Sequence, residues 1–155
     1  MLTFLNKAVS LDDIIDLITK KLDEGGNVTF TPKGGSMLPT LRDGKDSVVL
    51  AKPQGRLKRF DVPLYKRKNG EYVLHRIVKL NSDGSYVMCG DNQLVYEYGI
   101  TDGQIIGVMT SFCRNGKIYT TQSKGYKLYV RLRHYTRFFR RCYFYVVRKL
   151  NKHRK

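Results

Sequence analysis

The sequence predicts a mainly β protein with a helix at each end. Short runs rich in β-branched and aromatic residues follow one another from Asn27 to Thr121. Tight-turn pairs separate some of them, at Asn69-Gly70, Asp83-Gly84 and Asn115-Gly116. Helical spacing of apolar residues occurs only before Gly25-Gly26 and after Tyr126. Many short strands joined by tight turns favour antiparallel sheets or a partly closed barrel around an apolar interior.

Ser10-Leu11-Asp12-Asp13 is a helix start signal, and Leu11, Ile14, Ile15, Ile18 and Leu22 repeat at helical spacing until Gly25-Gly26 stops the run. Strands are expected at Asn27 to Thr31, Ser47 to Lys52, Val62 to Lys68, Glu71 to Leu80, Ser85 to Cys89, Ile105 to Phe112 and Lys117 to Thr121. From Tyr126 onward Leu128, Leu132, Tyr135, Phe139, Tyr143, Val146 and Leu150 make one helical stripe. The expected organisation is a helix over residues 1–26 packed on a β domain of residues 27–122, followed by a basic amphipathic segment over residues 123–155.

A chain of 155 residues that is 41% apolar can bury a real core, which excludes a disordered protein. Cys89, Cys113 and Cys142 are odd in number and lack metal-ligand spacing. Neither a disulfide framework nor a zinc site is indicated, and no metal or organic cofactor is expected.

The chemistry-bearing residues come in three groups. Gly34-Gly35-Ser36-Met37-Leu38-Pro39-Thr40-Leu41 offers a nucleophile, Leu74-His75-Arg76 a base, and Gly90-Asp91-Asn92 a carboxylate. A serine hydroxyl is a poor nucleophile at neutral pH and needs a proton acceptor within hydrogen-bond reach, itself oriented from behind. Ser36, His75 and Asp91 can fill those roles. Gly34 and Gly35 allow the backbone close to a substrate carbonyl, Met37 and Pro39 complete the loop, and the Ser36 N–H is the assignable oxyanion donor. Pro39 fixes its own φ and steers Leu38 away from helix, which should keep this turn rigid. Glu97 is the alternative acid, and Lys66 in Lys66-Arg67 the rival base. Taken singly, each residue has a bland reading: a turn serine, a strand histidine, a turn aspartate. Their order along the chain is what favours chemistry.

The run Gly-x-Ser-Met-x-Pro-Thr-Leu, followed by His75-Arg76 and Gly90-Asp91-Asn92, resembles the boxes of the superfamily that unites type I signal peptidases with the self-cleaving repressors of the SOS response. Histidine in place of the usual lysine base matches the endoplasmic-reticulum-type branch, in which a second acid lies near the position of Glu97. The tract Phe60-Asp61-Val62-Pro63-Leu64-Tyr65 resembles the family's Gly-Asp-x-Val strand, with Phe60 at the usual glycine and Pro63 inside the expected strand. The resemblance covers roughly residues 28–110. It implies the family's β fold and a serine endopeptidase that cleaves a peptide precursor or leader beside small residues. Gly34 stands where many signal peptidases carry a serine of the oxyanion hole. The self-cleaving repressors have an Ala-Gly or Cys-Gly bond upstream of the serine, which is absent here, so a repressor is disfavoured.

Charge is uneven. Residues 1–102 hold 15 Lys and Arg with all 13 acids, whereas residues 103–155 hold 14 basic residues and no acid, so nearly all of the +16 sits at one end. Arg131, Arg137, Arg141, Arg148 and Lys152 lie largely off the apolar stripe. Such a segment suits an anionic membrane surface, grips nucleic acid less readily, or packs on the β domain with its arginines in water. No stretch approaches the roughly 20 apolar residues that span a bilayer, and the amino terminus lacks the pattern of a secretory signal. The expected place is the cytoplasm, with the tail able to hold the protein at the inner face of the membrane. A binding module that keeps the peptidase fold and uses its cationic tail is the alternative function.

Overall fold

The computed structural model describes residues 11–136 and 139. Its elements in order are α1 (Leu11–Asp23), β1 (Val28–Phe30), β2 (Ser47–Ala51), β3 (Pro63–Lys66), β4 (Tyr72–Leu74), β5 (Arg76–Leu80), β6 (Tyr86–Cys89), β7 (Glu97–Ile100), β8 (Ile105–Arg114), β9 (Lys117–Thr120) and α2 (Lys124–Tyr135). The fold is mainly β, with two antiparallel sheets and no closed barrel among the described residues. One sheet runs β1-β2-β8-β3-β4 with β9 also on β8; the other runs β5-β6-β7. The chain divides into two compact units, with the boundary between Tyr119 and Thr120.

Within the first unit, α1 packs against β1 and β8. Ile15 and Leu22 are buried, as their spacing predicts, while Ile14 and Leu17 remain exposed. Truncating a buried leucine such as Leu22 to alanine costs about 2–5 kcal/mol. The main core joins the two sheets: Tyr65 of β3 packs with Ile77, Met88, Tyr86 and Ile100 from the other sheet, and with Leu57.

The structure corrects the strand expected from Glu71 to Leu80. It is two strands in different sheets, β4 and β5, and the residue between them is His75. The alternation expected there is absent, since Leu74 through Val78 are all buried. A segment that passes from one packed sheet to the other meets protein on both faces. β7 was not expected from the sequence, because its Glu97-Tyr98-Gly99 core has a glycine at φ 73° and reads as a turn.

Phe60 and Pro63, which depart from the pattern the sequence resembles, have distinct backbone settings. Phe60 has φ 81°, a left-handed conformation that glycine adopts freely and a bulky residue resists. Pro63 begins β3 rather than interrupting it, a position where its missing N–H removes no ladder bond.

In the second unit, Ser123 caps α2, its side chain accepting from the Tyr126 N–H. The helix therefore begins before Tyr126. Tyr143, Val146, Leu150, Arg137, Arg141, Arg148 and Lys152 lie outside the described residues. Among the described residues no helix is long and apolar enough to cross a membrane.

Candidate functional site

The turn that carries Ser36 is fastened along its length. At its start, the Gly34 N–H donates to Asp43 Oδ1 at 2.7 Å, and Gly34 has φ 101°, where a side chain would be strained. Its later part rests on Arg114, whose Nη2 donates to the carbonyls of Pro39 at 2.6 Å and Thr40 at 2.9 Å. Arg114 and Arg42 also pair with Asp46, which is fully buried. Burial works to raise the Asp46 carboxyl, but the bonds from Arg42 and Arg114 outweigh it and hold it below its ordinary value. Met37 is buried beneath the turn, Ser36 and Gly35 are half-buried, and Pro39 follows a cis peptide and is exposed.

The same turn is bound to the loop Gly90-Asp91-Asn92. The Asn92 N–H donates to the Ser36 carbonyl at 2.8 Å, and Asn92 Nδ2 to the Gly35 carbonyl at 3.2 Å. Thr40 donates to Asp91 Oδ2. The approach is so close that a Cβ on Gly90 would stand 2.6 Å from the Ser36 carbonyl oxygen, which only glycine avoids.

Asp91 in turn holds Arg76, with Nε to Oδ1 and Nη2 to Oδ2 both at 2.7 Å, a bidentate pair whose side chains are 3% and 8% exposed. Arg76 Nη1 also donates to the Phe60 carbonyl at 2.9 Å. Thus the serine turn, the aspartate loop and the strand that begins just after His75 are tied into one cluster. Arg76 is the member of its box that these bonds reach, whereas the hydrogen bonds of His75 run to Glu97 and Tyr65 and not to Ser36.

His75 has a different acid behind it from the expected one. Its Nδ1 lies 2.9 Å from Glu97 Oε1, and the imidazole is 2% exposed. Asp91 bonds Arg76 and Thr40 instead. Consecutive side chains of extended backbone point to opposite sides, so the acid that meets Arg76 is poorly placed to meet His75 as well. A carboxylate can only accept, so Nδ1 carries the proton and Nε2 keeps its lone pair. Burial lowers the His75 pKa below its ordinary value, against the opposing pull of Glu97, so the ring is neutral at pH 7.

Glu97 is held on every side. Arg67 grips both oxygens, Nε to Oε2 at 2.7 Å and Nη2 to Oε1 at 2.6 Å, and the Tyr65 hydroxyl donates to Oε2 at 2.9 Å. Arg67 is itself braced by Glu71 at 2.6 Å. Burial pushes the Glu97 carboxyl up, but Arg67 and Tyr65 more than offset it, and the net shift is downward. Tyr65 moves the other way, raised by burial and by the Glu97 charge, so its hydroxyl stays protonated as a donor. Glu97 is therefore ionised at neutral pH.

The sequence pointed to Ser36, His75 and Asp91, with Glu97 as the alternative acid; in the structure the Ser36 turn is bound to the Asp91 loop, and the acid on His75 is Glu97. Sequence reasoning missed Tyr65 as a donor and read Lys66-Arg67 only as a rival base. The available signal was the i, i+2 spacing of Tyr65 and Arg67, which puts both on one face of an extended segment. No family model, curated protein or solved structure matches the chain.

Proposed function

We propose that the chain is a serine endopeptidase of the signal-peptidase type, with that family's β fold, cleaving a peptide precursor or leader. The observation that supports it most is the buried His75–Glu97 bond at 2.9 Å in the same unit as a serine turn that is pinned to the neighbouring loop. That bond leaves Nε2 as a neutral base, the state a serine nucleophile requires.

In this reading Ser36 Oγ attacks the scissile carbonyl carbon while its proton passes to Nε2 of His75. Glu97 stabilises the imidazolium that forms, and the Ser36 N–H donates to the oxyanion. The C–N bond then breaks as Nε2 returns the proton to the leaving amine. A water activated by the same nitrogen hydrolyses the ester, restoring Ser36. Asp91 does not touch the imidazole; with Arg76, Thr40 and the Asn92 amide it holds the serine turn in register. The role expected for Asp91 thus passes to Glu97.

The test is incubation with a serine-directed covalent probe and mapping of the adduct by mass spectrometry. Label on Ser36, lost in Ser36→Ala and strongly slowed in His75→Ala, supports the reading. Label elsewhere, or equal labelling of Ser36→Ala, defeats it.

A further inference from the structure

We propose that α2 docks by its uncovered apolar stripe on an anionic lipid surface, lying in the interface with its flanking cations at the headgroups. The helix carries two apolar sides. At about 100° per residue, Leu128, Leu132 and Tyr135 fall within a sector of roughly 60°, and Val130 lies well over 120° away from all three. Val130 is 3% exposed, so that side is covered. The other is bare: Leu128, Leu132 and Tyr135 are 58%, 57% and 65% exposed, and Phe139, which follows at the same spacing, is 72% exposed. Apolar residues in such a contiguous row mark a docking surface rather than ordinary scatter.

Charge names the occupant. Lys124, Lys127 and Arg131 border the stripe along one side, and residues 103–155 contain 14 basic residues and no acid. A cationic protein surface would be repelled by this field. An anionic bilayer satisfies both features at once, since the leucines enter the acyl boundary, the tyrosine and phenylalanine rings sit at headgroup depth, and the cations face phosphates. A nucleic acid would use the cations but leave the leucines in water. Docking of this kind requires no membrane-spanning helix. It is also independent of the chemistry at Ser36, which lies in the other unit.

The experiment is flotation of the full chain with vesicles of phosphatidylcholine alone or with phosphatidylglycerol, across a salt series, alongside retention of a single-stranded RNA. Binding to the anionic vesicles that weakens with salt is expected. Lys127→Gln with Arg131→Gln should lower the apparent affinity roughly thirtyfold, about fivefold for each cation removed. Leu128→Ser with Leu132→Ser should reduce it at least tenfold and leave the rest salt-sensitive. Because the chain has no tryptophan, Tyr135→Trp gives a clean reporter whose emission should shift to the blue only with anionic vesicles. Equal binding to neutral vesicles, no blue shift, unchanged affinity in the leucine variant, or retention of RNA without lipid would each overturn the proposal. Ser36 labelling should be the same in all these variants, so loss of lipid binding and loss of the peptidase reading are separable.

Discussion

Glu97→Gln isolates the charge behind His75 at nearly constant shape. In the structure Nδ1 and Oε1 are 2.9 Å apart, with His75 2% and Glu97 20% exposed. Two unit charges about 4 Å apart at an effective dielectric near 20 interact by ~4 kcal/mol, which is what the carboxylate offers an imidazolium forming on the way to the acyl-enzyme. Arg67, bound to the same carboxylate at 2.6 Å and 2.7 Å, offsets part of this. Some 2–3 kcal/mol should remain, which is about 30- to 150-fold in rate. The assay is the rate of Ser36 acylation by a serine-directed probe as a function of pH. Glu97→Gln should lower the plateau by that factor and move the acid limb to lower pH, because the charge that favours protonated His75 is gone. Thermal unfolding measured in parallel should change less than for Asp91→Asn. An unchanged acylation rate in folded Glu97→Gln would refute the reasoning, as would a matching drop in plateau with the same shift of the acid limb in Asp91→Asn.

Asp91→Asn should act through stability: it leaves the Arg76 guanidinium buried and half-paired, at a cost of about 3–5 kcal/mol read from urea unfolding. Gly90→Ala should slow acylation by displacing the Ser36 turn, since the new methyl would start 2.6 Å from its carbonyl oxygen; normal labelling would show that the turn has slack. Phe60→Gly should hold or raise the thermal midpoint, because it relieves about 1–2 kcal/mol of left-handed backbone strain at φ 81°, whereas Phe60→Val keeps that strain, loses the ring and should lower it. Equal losses would mean that the ring, and not the backbone, decides. His75 has a folded-state pKa below its unfolded value near 6.5, so the unfolded chain takes up its proton first. Its contribution to stability is full above about pH 6.5 and is lost as pH falls toward the depressed value. His75→Gln should flatten that part of the stability profile.

Patterns that act over a few residues were legible in the sequence. Helical spacing placed α1, turn pairs and β-branched runs placed most strands, and the order of the serine, histidine and aspartate boxes marked the segments that the fold joins. These signals are local because they depend on backbone preferences and on which side chains share a face. The pairings within the site are not local. His75 and Glu97 are 22 residues apart, and Thr40 and Asp91 are 51 apart, so which acid meets which base depends on how two sheets pass each other. The same holds for the break at His75. Nothing in Tyr72-Val73-Leu74-His75-Arg76-Ile77-Val78 announces that the chain leaves one sheet for another, because burial on both sides is imposed by neighbours remote in sequence. The sequence alone determined that a hydroxyl, an imidazole and carboxylates were present in order. Only the tertiary structure decided that Arg76 would claim Asp91 and leave the histidine to Glu97, since consecutive side chains of extended backbone point to opposite sides and so meet different acids.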